Sequence, residues 1–157
     1  MNTKGITMRL LLFIFLTISA LAGNSQISVV DVPESEDIGQ IGAMGEVFIK
    51  IYRTGNSYTF YYQDQKYKRI KEYKSFTFNN ENGDYEVLYN MILDGLKNPP
   101  KEDIMLELPN DFVWINFEKL MGVPVVRFIH SVEKNGGIMG ATIQMNKKKV
   151  QKLFAMK

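Results

Sequence analysis

The chain has 157 residues, with 19 Lys and Arg against 17 Asp and Glu, a single His and no Cys. The missing cysteine excludes disulfides, thiolate metal sites, a cysteine nucleophile and a lipid-bearing Cys at a cleavage site, and one histidine cannot supply the usual nitrogen and sulfur set of a zinc site. Near-neutral charge argues against the electrostatic footprint of a nucleic-acid binder.

Lys4 and Arg9 precede an uninterrupted apolar run from Leu10 to Leu16, followed by the small residues Ser19, Ala20 and Ala22. That order predicts a secretory signal peptide over residues 1–22, with cleavage as late as residue 25 and Met8 as an alternative start. The stretch from Leu10 to Ala22 is 13 residues, short of the about 18 to 20 that a membrane span needs, so no stable span is expected after cleavage. Removing 22 of the 157 residues leaves 135, in which 17 basic side chains face 17 acidic ones. A secreted or periplasmic location follows as the expectation.

Residues 23–45 carry Asp31, Glu34, Glu36 and Asp37 together with Gly39, Gly42 and Gly45, and read as a flexible lead-in in which Ile27 to Val30 is a candidate short edge strand. The glycine spacing lacks the preceding strand and following helix of a phosphate loop. A single α+β domain is expected over 46–157. Two alternating runs around Gly55-Asn56 predict a hairpin that pairs Arg53 with Tyr58, Ile51 with Phe60 and Ile49 with Tyr62. Lys66, Lys68, Arg69, Lys71 and Lys74 follow among tyrosines and read as a local positive, solvated edge, with residues 66 to 72 open between a turn and an irregular strand.

Ser75 to Phe78 alternates as a strand. Asn82 or Asp84 is the expected cap of an amphipathic helix from Tyr85 to Leu96, stopped by Asn98-Pro99-Pro100. Ile104, Leu106 and Leu108 then begin an antiparallel run that turns at Met121-Gly122 and Asn135-Gly136. Two-residue loops there oppose Phe117 to Val126, Ile115 to Phe128 and Val113 to His130, then His130 to Ala141, Phe128 to Ile143 and Val126 to Met145. One face becomes almost wholly apolar apart from His130, and it includes Met139, Ala141, Ile143 and Met145. Asn146 caps a last helix with Val150, Leu153 and Phe154 as its stripe. The expected fold class is α+β: an antiparallel sheet, made of the N-terminal hairpin and the C-terminal meander, with two helices packed on one face.

His130 falls on the apolar face, where a buried imidazole with one partner is the ordinary outcome. Asp103, Glu107, Asp111 and Glu118 are the carboxylates from which an acid/base pair would have to come, and nothing in their spacing joins two across a cleft. Neither "DVPESED" nor "NNENGD" has the spacing of a calcium loop. No catalytic residue, metal site or cofactor is therefore assigned. On the opposite face of the meander, Trp114 accompanies Asn116, Glu118, Arg127 and Gln144, a polar row with an aromatic anchor suited to a sugar or protein partner. The expectation is an exported, non-catalytic binding or accessory module with a protein or glycan partner in the cell envelope. The alternatives are a periplasmic carrier of a small hydrophobic ligand, lined by Met91, Phe128, Met139 and Met145, and a hydrolase using carboxylates or His130.

Overall fold

Strand alternation puts apolar side chains on one face of each sheet, and here two such faces meet. The computed structural model describes residues 33–67, 70–134, 137 and 139–156; the expected signal peptide and the Ile27 to Val30 segment lie outside them. Among the described residues there are two four-stranded antiparallel sheets and two α-helices, in keeping with the α+β class. The hairpin and the meander form separate sheets. The first joins β1 (Ser35–Ala43), β2 (Glu46–Thr54), β3 (Ser57–Gln63) and β4 (Tyr73–Asn79), and the second joins β5 (Ile104–Glu107), β6 (Phe112–Leu120), β7 (Val123–Ser131) and β8 (Met139–Ala141), each in chain order. Phe60 and Phe76 each meet Phe128 edge-to-face at 5.6 Å, and this aromatic contact binds sheet to sheet.

The β2–β3 hairpin has the register that its alternation predicts, with Arg53 opposite Tyr58, Ile51 opposite Phe60 and Ile49 opposite Tyr62. Gly55 in its loop has φ 59, a left-handed conformation that favours glycine. The lead-in differs from its expectation. Residues 35–43 are a strand paired to β2, and Glu36 and Asp37 pair with Arg53 at 2.7 Å and Lys50 at 3.3 Å. The glycines that suggested a linker serve close packing: a Cβ on Gly39 would stand 2.4 Å from the Leu153 carbonyl oxygen, and one on Gly42 would stand 2.0 Å from that of Glu46. Register shifts occur beside both glycines, as in bulges.

In the second sheet the β6–β7 register is again the expected one, with Met121 at φ 51 and Gly122 at φ 83 in the two-residue turn. Between β7 and β8 the expectation is corrected by one residue. His130 opposes Gly140 and Ile129 opposes Ala141, although Val126 still bridges Met145. Met139 and Ala141 thus leave the inner face and Gly140 takes their place. The cause is space, because a Cβ on Gly140 would be 2.5 Å from the Tyr62 hydroxyl and 2.8 Å from the Lys74 side chain.

Helix α1 (Asp84–Lys97) buries Tyr85, Leu88, Tyr89, Ile92 and Leu96. Its expected cap is also corrected: Gly83 holds the N-cap position at φ 77 without a side-chain cap, and Asn80 Oδ1 accepts from the Tyr85 N–H instead. Gly95 lies under the Phe117 ring, where a Cβ would be 2.2 Å from Cζ. Helix α2 (Lys147–Leu153) is capped by Asn146, whose side chain accepts from the Lys149 N–H as expected. Phe154 follows it into the core, 5.6 Å from Phe60 and 5.1 Å from Tyr85, and the Tyr85 hydroxyl donates to its carbonyl.

Because two backbone oxygens crowd the Gly39 Cα, neither of which a rotamer change can move, Gly39→Ala is expected to cost about 1–3 kcal/mol by forcing β1 off α2. Urea unfolding measures this, and an unchanged midpoint would contradict the packing described.

Candidate functional site

Two groups of polar residues stand out, one inside the sheet-to-sheet junction and one on the outer face of the second sheet. The inner group begins with Lys74, which shares a face of β4 with Phe76 and Phe78 and so points into the core. Its ammonium meets Asp64 just beyond the end of β3, and the side chains are 7% and 0% exposed. Asp64 Oδ1 also accepts from the backbone N–H of Lys66 at 2.9 Å and of Ala141 at 3.0 Å. Ala141 belongs to β8, so one carboxylate ties the first sheet to the second. Burial alone raises the Asp64 pKa, but Lys74 and the two N–H donors outweigh it and hold the carboxyl below its ordinary range. Burial likewise opposes the Lys74 charge, and Asp64 with Glu72 more than restores it.

Beside this pair the Tyr62 hydroxyl lies 2.9 Å from His130 Nδ1. Burial, with Asp64 and Asp111 adding to it, pushes Tyr62 upward, so it keeps its proton and can donate to Nδ1, the arrangement that the Asp111 carboxylate beside Nε2 favours. The imidazole proton is then on Nε2, which faces Asp111 Oδ2 at 3.5 Å, too long for a full hydrogen bond. His130 is fully buried, as its place on the apolar face led one to expect. Burial lowers its pKa, and Lys74 adds to this, against the upward pull of Asp111 and Asp64. The group supplies mechanical continuity between the sheets. Ser131, the other hydroxyl next to His130 in sequence, donates to the Glu133 carbonyl at 2.9 Å.

The outer group is the row singled out in the sequence, and the structure brings it together. Asn116 and Arg127 oppose each other, as do Trp114 and Ile129. Arg127 Nε donates to Asn116 Oδ1 at 3.0 Å and its NH2 to Glu118 Oε1 at 2.6 Å, while Gln144 donates to Glu118 Oε2 at 2.9 Å. Asn116 in turn donates to Asp103 at 2.8 Å. All five residues are half-buried. Met105, 56% exposed, sits opposite Trp114 across β5, so the anchor is an apolar strip of Met105, Trp114 and Ile129. A shallow hollow of about 670 Å³ adjoins it, touching Leu120, Arg127, Ile129, Ile143 and Gln144.

Three of the carboxylates considered for acid/base work are each engaged by a different partner, Asp103 by Asn116, Glu107 by Lys134 and Glu118 by Arg127, while Asp111 lies 3.5 Å from His130 Nε2. Nor are the four residues of the carrier reading gathered around one cavity. Phe128 and Met145 are fully buried in the core, Met91 lines a groove beside α1, and Met139 lines the hollow on the outer face. Among the described residues no cluster of three or more His, Asp or Glu is placed to hold a metal, and no helix is long and apolar enough to cross a membrane. The inner ion pair corrects the sequence expectation that Lys74 belongs to a solvated positive edge; it is instead buried against Asp64, and its alternation with the inward Phe76 and Phe78 is the signal in the sequence.

Two outcomes follow for the junction. Asp64→Ala leaves the buried Lys74 ammonium with only Glu72 at 3.4 Å and strands the Ala141 N–H, with an expected cost of about 3 kcal/mol, and Lys74→Met costs less because Asp64 keeps two backbone donors; denaturant unfolding of both variants checks the order. His130 has a lowered folded pKa, so its contribution is complete above its unfolded value of about 6.5 and is lost as pH falls from there toward the folded value. The thermal midpoint of the wild type should fall across that window more than that of His130→Gln. Comparison with protein-family models, with curated proteins and with solved structures yields no match to this chain.

Proposed function

We propose that the protein is an exported, non-catalytic binding module whose recognition surface is the outer face of the second sheet, and that its partner is a protein or glycan of the cell envelope. The observation that carries this reading is the tethered guanidinium of Arg127. Asn116 and Glu118 hold it in one orientation beside half-buried Trp114, and Gln144 holds Glu118 from the other side. Side chains already fixed lose little entropy when a partner arrives. A planar donor group next to an indole and two aliphatic side chains is the kind of patch from which binding hot spots are built. Export is the contribution of the charged, apolar and small-residue order of residues 1–22.

The test is recovery of a partner from envelope extract of the source cell by the immobilised domain, alongside Trp114→Ala and Arg127→Ala variants with unchanged thermal midpoints. The expected result is one protein or glycan retained by the wild type and reduced at least about tenfold by either variant, the size typical of a hot-spot truncation. Equal recovery by all three, or none by the wild type, overturns the proposal.

A further inference from the structure

A second surface has a different character. Strand β5 is an outer strand of its sheet, paired on one side to β6 and on the other to no strand among the described residues. Alongside it runs a groove of about 500 Å³ whose opposite wall is α1 and whose end is closed by Phe78 and Asn79 of β4. Its floor is apolar, made by Leu88, Leu106 and Leu108, with Val87 and Met105 more than half exposed on its sides. Unpaired strand edges are usually guarded by Lys, Pro or a bulge. Residues 104–107 contain neither Lys nor Pro and keep a regular register with β6, so the edge is guarded only by its four-residue length and by Glu107.

The charge on the rim specifies the occupant. The ionisable residues lining the groove are Glu81, Asp84 and Glu107, with no Lys, Arg or His among the lining residues. Glu107 is paired with Lys134 at 2.7 Å, whereas Glu81 and Asp84 have no ion pair among the described residues. A free row of backbone donors and acceptors recognises an extended chain, an apolar trough takes every second side chain, and an acidic rim selects cations. We propose that this groove binds an extended peptide segment that alternates apolar with Lys or Arg residues and adds to β5 as a fifth strand. The four residues of β5 limit the added strand to a short one. Met91 and Met105 in the walls adapt to different apolar side chains.

The experiment uses a fluorescein-labelled octapeptide alternating Val and Lys, titrated with the full domain and read by anisotropy. Saturable binding is expected, weakened at least about tenfold by Val87→Gln and by Glu81→Lys, both at exposed positions, and unchanged by Arg127→Ala on the other surface. An octapeptide alternating Val and Glu should not bind. Methylation of alternate backbone nitrogens in the Val and Lys peptide should abolish binding, because it removes the donors that pair with the edge. Absence of binding by the parent peptide overturns the proposal, as does equal binding of the acidic peptide or indifference to Val87→Gln and Glu81→Lys. Undiminished binding of the methylated peptide overturns strand addition.

Discussion

The carboxylate of Asp64 is the point on which the two sheets depend. Three donors converge on it: one from the turn that follows it, one from β4 of its own sheet and one from β8 of the other. A charge with almost no exposure survives only when its lone pairs are filled, and here the filling is what joins the halves. The one-residue shift of β8, which the crowding at Gly140 requires, also serves it. Ala141 must present its N–H to Asp64, and Gly140 must then face Tyr62, a position with no room for a side chain. The hydroxyl of Tyr62 in turn orients His130, so four residues that titrate in free solution work here as fixed connectors.

The apolar contacts around this junction are aromatic to an unusual degree. Phe60 touches Phe76, Phe128 and Phe154, and Tyr58 stacks on Tyr85 at 4.1 Å. Rings bury much area for few rotatable bonds, which suits a domain without disulfides. The same economy separates the surfaces. Because the inner faces are filled by rings, polar rows such as Asn116 and Arg127 are displaced to the outer face, and the groove between α1 and β5 opens along the outer edge of that four-residue strand.

Both two-residue turns with left-handed glycines, at Gly55 and Gly122, were legible in the sequence because alternation on either side leaves a single register that keeps the core face apolar. The Arg127 row was legible for the same reason, since a correct β6–β7 register places Asn116 opposite Arg127. What was not legible depends on residues distant in sequence. Gly39 read as a linker because its reason, the carbonyls of Lys152 and Leu153, lies more than a hundred positions away. The slip at Gly140 is imposed by Tyr62 and Lys74 from the other sheet. The helix cap was misplaced because Asn80 reaches Tyr85 from outside the usual position.

Phe154 adds a consequence in the order of events. Its ring fills the space between Phe60 of the first sheet and Tyr85 and Tyr89 of α1, so the core has a hole until one of the last residues of the described chain is in place. Contacts of such long sequence separation form late and slow the search for the native state. A chain whose keystone lies so far along from the rings it joins stays loosely packed until that segment docks, so its final consolidation is one late step rather than a gradual one.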